Sequence, residues 1–99
     1  METNIKAIHF DINDRLTAFI NKKTERLVRR FPAIATADFT LKVVKPETSM
    51  NKEAVIRIAV PHIPDVVADK TADTFEEAID LGLEAIEKQL EKQKEKQAK

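Results

Sequence analysis

The spacing of apolar positions changes several times along the chain, and each change predicts an element. Residues 5–10 (IKAIHF) form a short apolar-rich run, as in a first strand. From Leu16 the period becomes helical: Leu16, Ile20, Leu27 and Phe31 recur on one side, with Phe19 flanking them. Asn13 is placed to cap this helix, and Asp14 puts negative charge at the positive end of its dipole. Pro32 stops it, because the residue before a proline is pushed out of the helical region. Residues 37–45 (ADFTLKVVK) alternate, with Phe39, Leu41 and Val43 pointing one way and Thr40 and Lys42 the other, as in a half-buried strand. Residues 46–52 are expected to form a turn or loop. Residues 53–60 (EAVIRIAV) alternate again, with Ile56, Ile58 and Val60 opposite Arg57. Pro61, His62, Ile63 and Pro64 break that pattern, and residues 65–70 (DVVADK) predict a fourth strand.

Thr74 and Glu77, three positions apart, have the form of a capping box. They open a second, longer helix with Phe75, Ala78, Ile79, Leu83, Ile86 and Leu90 on its apolar side. Gly82, the only glycine, falls on that side. A glycine there costs a helix about 1 kcal/mol relative to alanine, so its presence points to close approach of helix and sheet. Past Leu90 no apolar anchor follows, and residues 91–99 are expected to fray or project into solvent. The order is β-α-β-β-β-α, an α+β class. One four-stranded sheet covers its apolar face with two helices and leaves the other face to solvent.

The length of 99 residues fits one domain over residues 1–99. A chain of this size buries about 65% of its unfolded surface, enough to fold alone with little to spare. With 42% apolar residues the sequence can form a core. The absence of cysteine removes disulfides, thiolate metal sites and thiol nucleophiles. The first ten residues lack a signal-like apolar stretch, and no run has the length of a membrane span. A soluble cytoplasmic protein is expected.

Charge changes the picture more. The chain holds 17 basic and 17 acidic residues, yet the two signs are segregated. Residues 14–31 carry six cations and two anions, and residues 65–87 carry eight acids and one lysine. At about 100° per residue, Arg15, Lys22, Arg26 and Arg29 fall within a sector of about 60°, with Lys23 and Arg30 beside it. On the second helix Lys88, Lys92, Lys96 and Lys99 recur at helical spacing, interleaved with Glu84, Glu87, Glu91 and Glu95. There, pairs such as Glu84–Lys88 account for the composition by helix stability alone. Within the first helix only Glu25 offsets the basic stretch NKKTERLVRRF, and like charges one turn apart cost a few tenths of a kcal/mol each, or about 0.2–0.5. A surface that carries such repulsion is suited to a polyanion.

Catalysis finds little support. His9, placed in the first strand, and His62, between two prolines, have neither metal-ligand spacing nor a carboxylate partner. One glycine cannot make a phosphate-cradling loop, and the acids of residues 65–80 lack the spacing of a calcium loop. With no Trp or Tyr, contact with phosphates of a folded RNA is favoured over base stacking. No cofactor, metal or small-molecule substrate is expected, and no enzymatic activity.

The segments IKAIHFDINDRLTAFINKKTERL (residues 5–27) and DTFEEAIDLGLEAIEKQLEKQKEK (residues 73–96) resemble the short form of the ribosome hibernation-promoting factor and ribosome-associated inhibitor family. The likeness spans nearly the whole chain. It implies a fold like that of double-stranded-RNA-binding domains. The family's Ile-Thr-Pro-Ala-Leu-Arg opening of the first helix corresponds to Ile12, Asn13, Asp14, Arg15, Leu16 and Thr17, so Thr17 stands where arginine is usual. Glu91 likewise stands where the family commonly has a basic residue. The resemblance implies a protein that binds the small ribosomal subunit in the channel of mRNA and tRNA and silences translation sterically when growth slows. Its partners would be that subunit, its rRNA and a dimerisation-promoting auxiliary factor. Carried over by position, Lys23, Arg26, Lys88, Lys92, Lys94 and Lys96 would face rRNA. The wheel adds Lys22, Arg29 and Arg30. A different reading of the residues stays open: a protein-interaction module that uses the open sheet face or the acidic block, with the basic helix only solubilising.

Overall fold

The computed structural model describes residues 2–44 and 50–97, with side chains as far as Gln93. The elements are β1 (Glu2–Ile8), α1 (Asp14–Arg30), β2 (Thr36–Val43), β3 (Lys52–Ala59), β4 (Val66–Ala72) and α2 (Phe75–Gln97). The strands form one sheet in the order β1-β2-β3-β4. β1 and β2 are parallel, which demands a crossover, and α1 is that crossover. β2, β3 and β4 form an antiparallel meander.

The expected architecture is observed, with shifts at element ends. β1 starts at Glu2 and stops at Ile8 rather than covering residues 5–10. Its inward row is Thr3, Ile5 and Ala7, paired with Ala37, Phe39 and Leu41, so a polar Thr3 hid the first half of the strand. His9 adopts φ 65°, a left-handed value that ends the strand, and so lies in the turn rather than in β1. β3 begins at Lys52, one residue earlier than expected, and ends at Ala59. β4 continues to Ala72, whose side chain is fully buried, through the pairs Glu53–Thr71 and Lys52–Ala72. Lys45 and the loop residues 46–49 lie outside the described residues. α2 is helical to Gln97, and residues 98 and 99, the last two of the end expected to fray or project, are likewise not described.

Both helix starts are built as the sequence indicates. The Asn13 side chain accepts the Leu16 N–H at 2.8 Å, and Thr74 Oγ1 accepts the Glu77 N–H at 3.1 Å. The Phe31 N–H closes α1 on the Leu27 carbonyl at 2.9 Å. Leu16, Ile20 and Leu27 from α1 meet Phe39, Leu41, Ile56 and Ile58 from the sheet and Ile79, Leu83, Ile86 and Leu90 from α2. Thr24 also lies in this core, where its hydroxyl donates to the Ile20 carbonyl at 2.8 Å and so leaves no polar atom unmet. Phe10 stacks on Phe75 with ring centroids 4.6 Å apart, tying the turn before α1 to the start of α2. A Cβ at Gly82 would stand 2.7 Å from Cδ1 of the buried Ile56, so glycine is what lets α2 sit this close to β3.

Candidate nucleic-acid interface

α1 buries Leu16, Ile20, Thr24 and Leu27, and the side of the helix opposite them carries Arg15, Lys22, Arg26 and Arg29. All four are exposed. Among the described residues no carboxylate stands within ion-pair distance of any of them. Lys23 and Arg30 lie about 80° further round the helix, toward α2. Their surroundings differ completely. Lys23 Nζ is 3.1 Å from Asp80 Oδ1 and lies over the Phe19 ring at 5.3 Å. Arg30 Nη1 reaches Glu87 Oε2 at 3.3 Å, and its Nη2 donates to Glu91 Oε1. The Arg30 guanidinium also lies 5.5 Å from the centre of the Phe31 ring.

The second helix therefore makes up part of the counterion shortage that the sequence of the first helix implied: it pairs Lys23 and Arg30 and leaves the outward row without ion pairs among the described residues. Asp80, Glu84, Glu87 and Glu91 fall within about 60° of one another on α2, on the flank turned to α1. Lys23, Arg26, Leu27 and Arg30 face Asp80, Leu83, Glu84 and Glu87 across a groove of about 310 Å³. Each cross-helix pair is open to water and contributes on the order of 0–1 kcal/mol. Together they make a paired seam of two cations and three acids between two rows of cations. Beyond it, Lys88 and Lys92 are exposed on the outer side of α2, with Lys88 Nζ 3.6 Å from Glu84 Oε1 in the expected i,i+4 pair. The side chains of Lys94 and Lys96 lie outside the described residues.

Nothing in the sequence of α1 marks Lys23 and Arg30 as different from their neighbours. The signal is in α2, where acids recur at intervals of four, three and four from Asp80 to Glu91. That is the period of one helix flank. Glu91, the departure from the family's usual basic residue, is one of the two acids on Arg30. Thr17, the other departure, turns its hydroxyl back on its own helix and donates to the Asn13 carbonyl at 3.1 Å.

The open sheet face mixes polar residues with Val55 and the exposed Val67, and some of its polar groups pair with one another. Asn4 Nδ2 donates to Asp38 Oδ1 at 2.8 Å, and Arg57 lies 3.8 Å from Asp65. Burial raises the Glu53 carboxyl above its ordinary value, helped by a hydrogen bond to Asp69 and by that neighbour's charge, while Lys42 works against the shift. The acidic block is spread out: Asp80 pairs with Lys23, Asp65 with Arg57, and Asp73 Oδ1 accepts the Met50 N–H at 2.6 Å. Glu76 and Glu77 sit in the first turn of α2, where its dipole favours them. His9 and His62 are both exposed, in separate turns. Among the described residues no group of three or more His, Asp or Glu is placed to hold a metal ion. Nor, among them, is any helix long and apolar enough to cross a membrane. An apolar hollow of about 190 Å³ at the end of α1, lined by Phe31, Pro32, Ile34, Val60, Ile63 and Leu90, carries no acid or nucleophile.

A family described as "Sigma 54 modulation protein / S30EA ribosomal protein" matches residues 3–98. Among solved structures, a ribosomal subunit interface protein from Coxiella burnetii superposes with a TM-score of 0.82 at 20% identity, over 95% of this chain and 98% of that one. The N-terminal domain of Thermus thermophilus Protein Y superposes with a TM-score of 0.72 at 21% identity, over 92% of this chain and 93% of that one. At these identities the likeness concerns the fold. No curated protein matches the chain.

Proposed function

The chain belongs to the Sigma 54 modulation protein / S30EA ribosomal protein family, and from that premise we propose that it silences translation by occupying the small ribosomal subunit. The contact is made by phosphates of rRNA with the outward row of α1, Lys22, Arg26 and Arg29, and with Lys88, Lys92, Lys94 and Lys96 of α2. No chemistry is performed; the family is one of ribosomal and modulation proteins, which agrees with a non-enzymatic reading. The folded domain lies where mRNA and tRNA run and excludes them by its volume. It acts in the cytoplasm during slow growth or stress, alongside an auxiliary factor where ribosomes are paired.

The single observation that carries this reading is the uncompensated row. Three exposed cations in successive turns keep no carboxylate partner among the described residues, while their neighbours Lys23 and Arg30 do. Free cations on a rigid helix can neutralise phosphates without first breaking an ion pair. The name of one structural neighbour, ribosomal subunit interface protein, supports a ribosomal partner. Co-sedimentation with purified small subunits at low salt is the test. The protein is expected to pellet with subunits and to be released as salt rises; pelleting that does not respond to salt contradicts a phosphate contact.

A further inference from the structure

Asp80, Glu87 and Glu91 have no place in the contact just described, yet they engage two of the six cations of α1. We infer that these three acids are specificity determinants of the RNA-binding face: they withdraw Lys23 and Arg30 from arbitrary RNA. The inference rests on the RNA-binding reading of α1 and adds to it a reason for the seam.

Binding to arbitrary RNA is set by how many phosphates the protein can neutralise, each contributing about 0.7–0.9 to the log–log salt slope. With all six cations free, α1 alone would be a general RNA-binding helix. Among the described residues the cross-helix pairs leave four without a carboxylate partner: Arg15, Lys22, Arg26 and Arg29. Arg30 illustrates the mechanism. Both terminal nitrogens of its guanidinium face carboxylates, so a phosphate approaching that fork must displace an acid and also meets the charge of a second. At Lys23 the same obstacle is Asp80 at 3.1 Å. A ligand that drapes loosely over the helix layer gains nothing at the seam. A rigid RNA surface that meets the outward rows and leaves the seam paired loses nothing there. Specificity is a difference of affinities, and the acids lower the one that belongs to the wrong partner.

The alternatives make opposite predictions. If the acids served to hold Lys23 and Arg30 in position for RNA, removing them would weaken binding. If they only tied α1 to α2, removing them would leave RNA discrimination unchanged. The experiment measures dissociation constants against salt for purified small subunits and for a random-sequence RNA duplex. It compares the wild type, the triple variant D80N/E87Q/E91Q, and the triple in a K23A/R30A background, all checked for fold by circular dichroism. The triple variant should bind the random duplex about tenfold more tightly, with a slope steeper by between about 1 and 2. Its affinity for subunits should change by less than about threefold, and the gain on duplex should vanish in the K23A/R30A background. An unchanged duplex slope, weaker binding to both RNAs, or an equal gain without Lys23 and Arg30 overturns the inference, the last because it reports only a general loss of negative charge. Failure of the underlying reading looks different: the wild type then binds neither RNA, and the inference falls with it.

Discussion

Two edges of α1 carry the same kind of residue and do different things. The outward edge (Lys22, Arg26, Arg29) and the inner edge (Lys23, Arg30) are interleaved over nine positions of sequence. One keeps no carboxylate within ion-pair distance among the described residues, although its Arg26 borders the groove lined by the acids of α2; the other is paired with those acids. The difference comes from about 80° of helical phase together with the seating of the second helix, which Gly82 brings against Ile56. Charge counted along a sequence is therefore not charge offered to a ligand. What a neighbouring element neutralises has to be subtracted, and the subtraction is visible only in three dimensions.

The comparison can be broken outright at the outward edge. The charge reversal K22E/R26E/R29E should abolish binding to small subunits, a loss of 100-fold or more on the order expected for several phosphate contacts, as read by co-sedimentation at low salt. Undiminished binding would mean that the outward edge is only a solvated face. Milder changes sharpen the contrast. Arg26→Ala or Arg29→Ala should each weaken subunit binding about three- to tenfold and reduce the salt slope by about 1. Lys23→Ala and Arg30→Ala, although they remove the same charge from the same helix, should each change it by less than about twofold.

Smaller effects test how the seam is held. Gly82→Ala pushes a methyl group into Ile56, an overpacking cost of about 1–3 kcal/mol, against which helix propensity returns about 1 kcal/mol. A net loss of up to about 2 kcal/mol is expected in urea denaturation, and Ile56→Val should cost less in the alanine background than in the wild type. Additive costs would mean that α2 is not seated by that contact. On the sheet face, far from both edges, the raised carboxyl of Glu53 predicts a pH effect of the opposite kind to a salt bridge. Its folded-state proton affinity exceeds that of the unfolded chain, so its contribution is fully present below the ordinary glutamate value and is lost as pH rises through the raised one. Glu53→Gln should therefore stabilise the protein modestly at neutral pH and have no stabilising effect in acid; destabilisation at neutral pH would contradict the assignment. Binding to subunits should be unaffected.

Much of this molecule was legible in its sequence. The alternation of Phe39, Leu41 and of Ile56, Ile58, the Asn13 and Thr74 caps, and the lone glycine all had local signatures that the fold keeps. The misplaced ends have physical causes. Thr3 and Thr71 are polar residues within strands, recruited by pairing with β2 and β3 rather than by their own pattern. Thr24, which the apolar pattern does not mark, is a buried residue whose hydroxyl is satisfied locally. The site was half legible: helical phase identified which cations point away from the core. It could not say which were spent on α2, because that depends on two amphipathic helices being brought side by side by the sheet beneath them.

The most direct test of the central claim is the salt dependence of small-subunit binding for the wild type and for K22A/R26A/R29A, measured side by side with K23A/R30A. The outward triple should flatten the log–log slope by between about 2 and 3, while the inner double leaves it within about 0.5 of the wild type. Equal flattening by both variants, or by neither, would contradict the division of α1 into a free edge and a paired one.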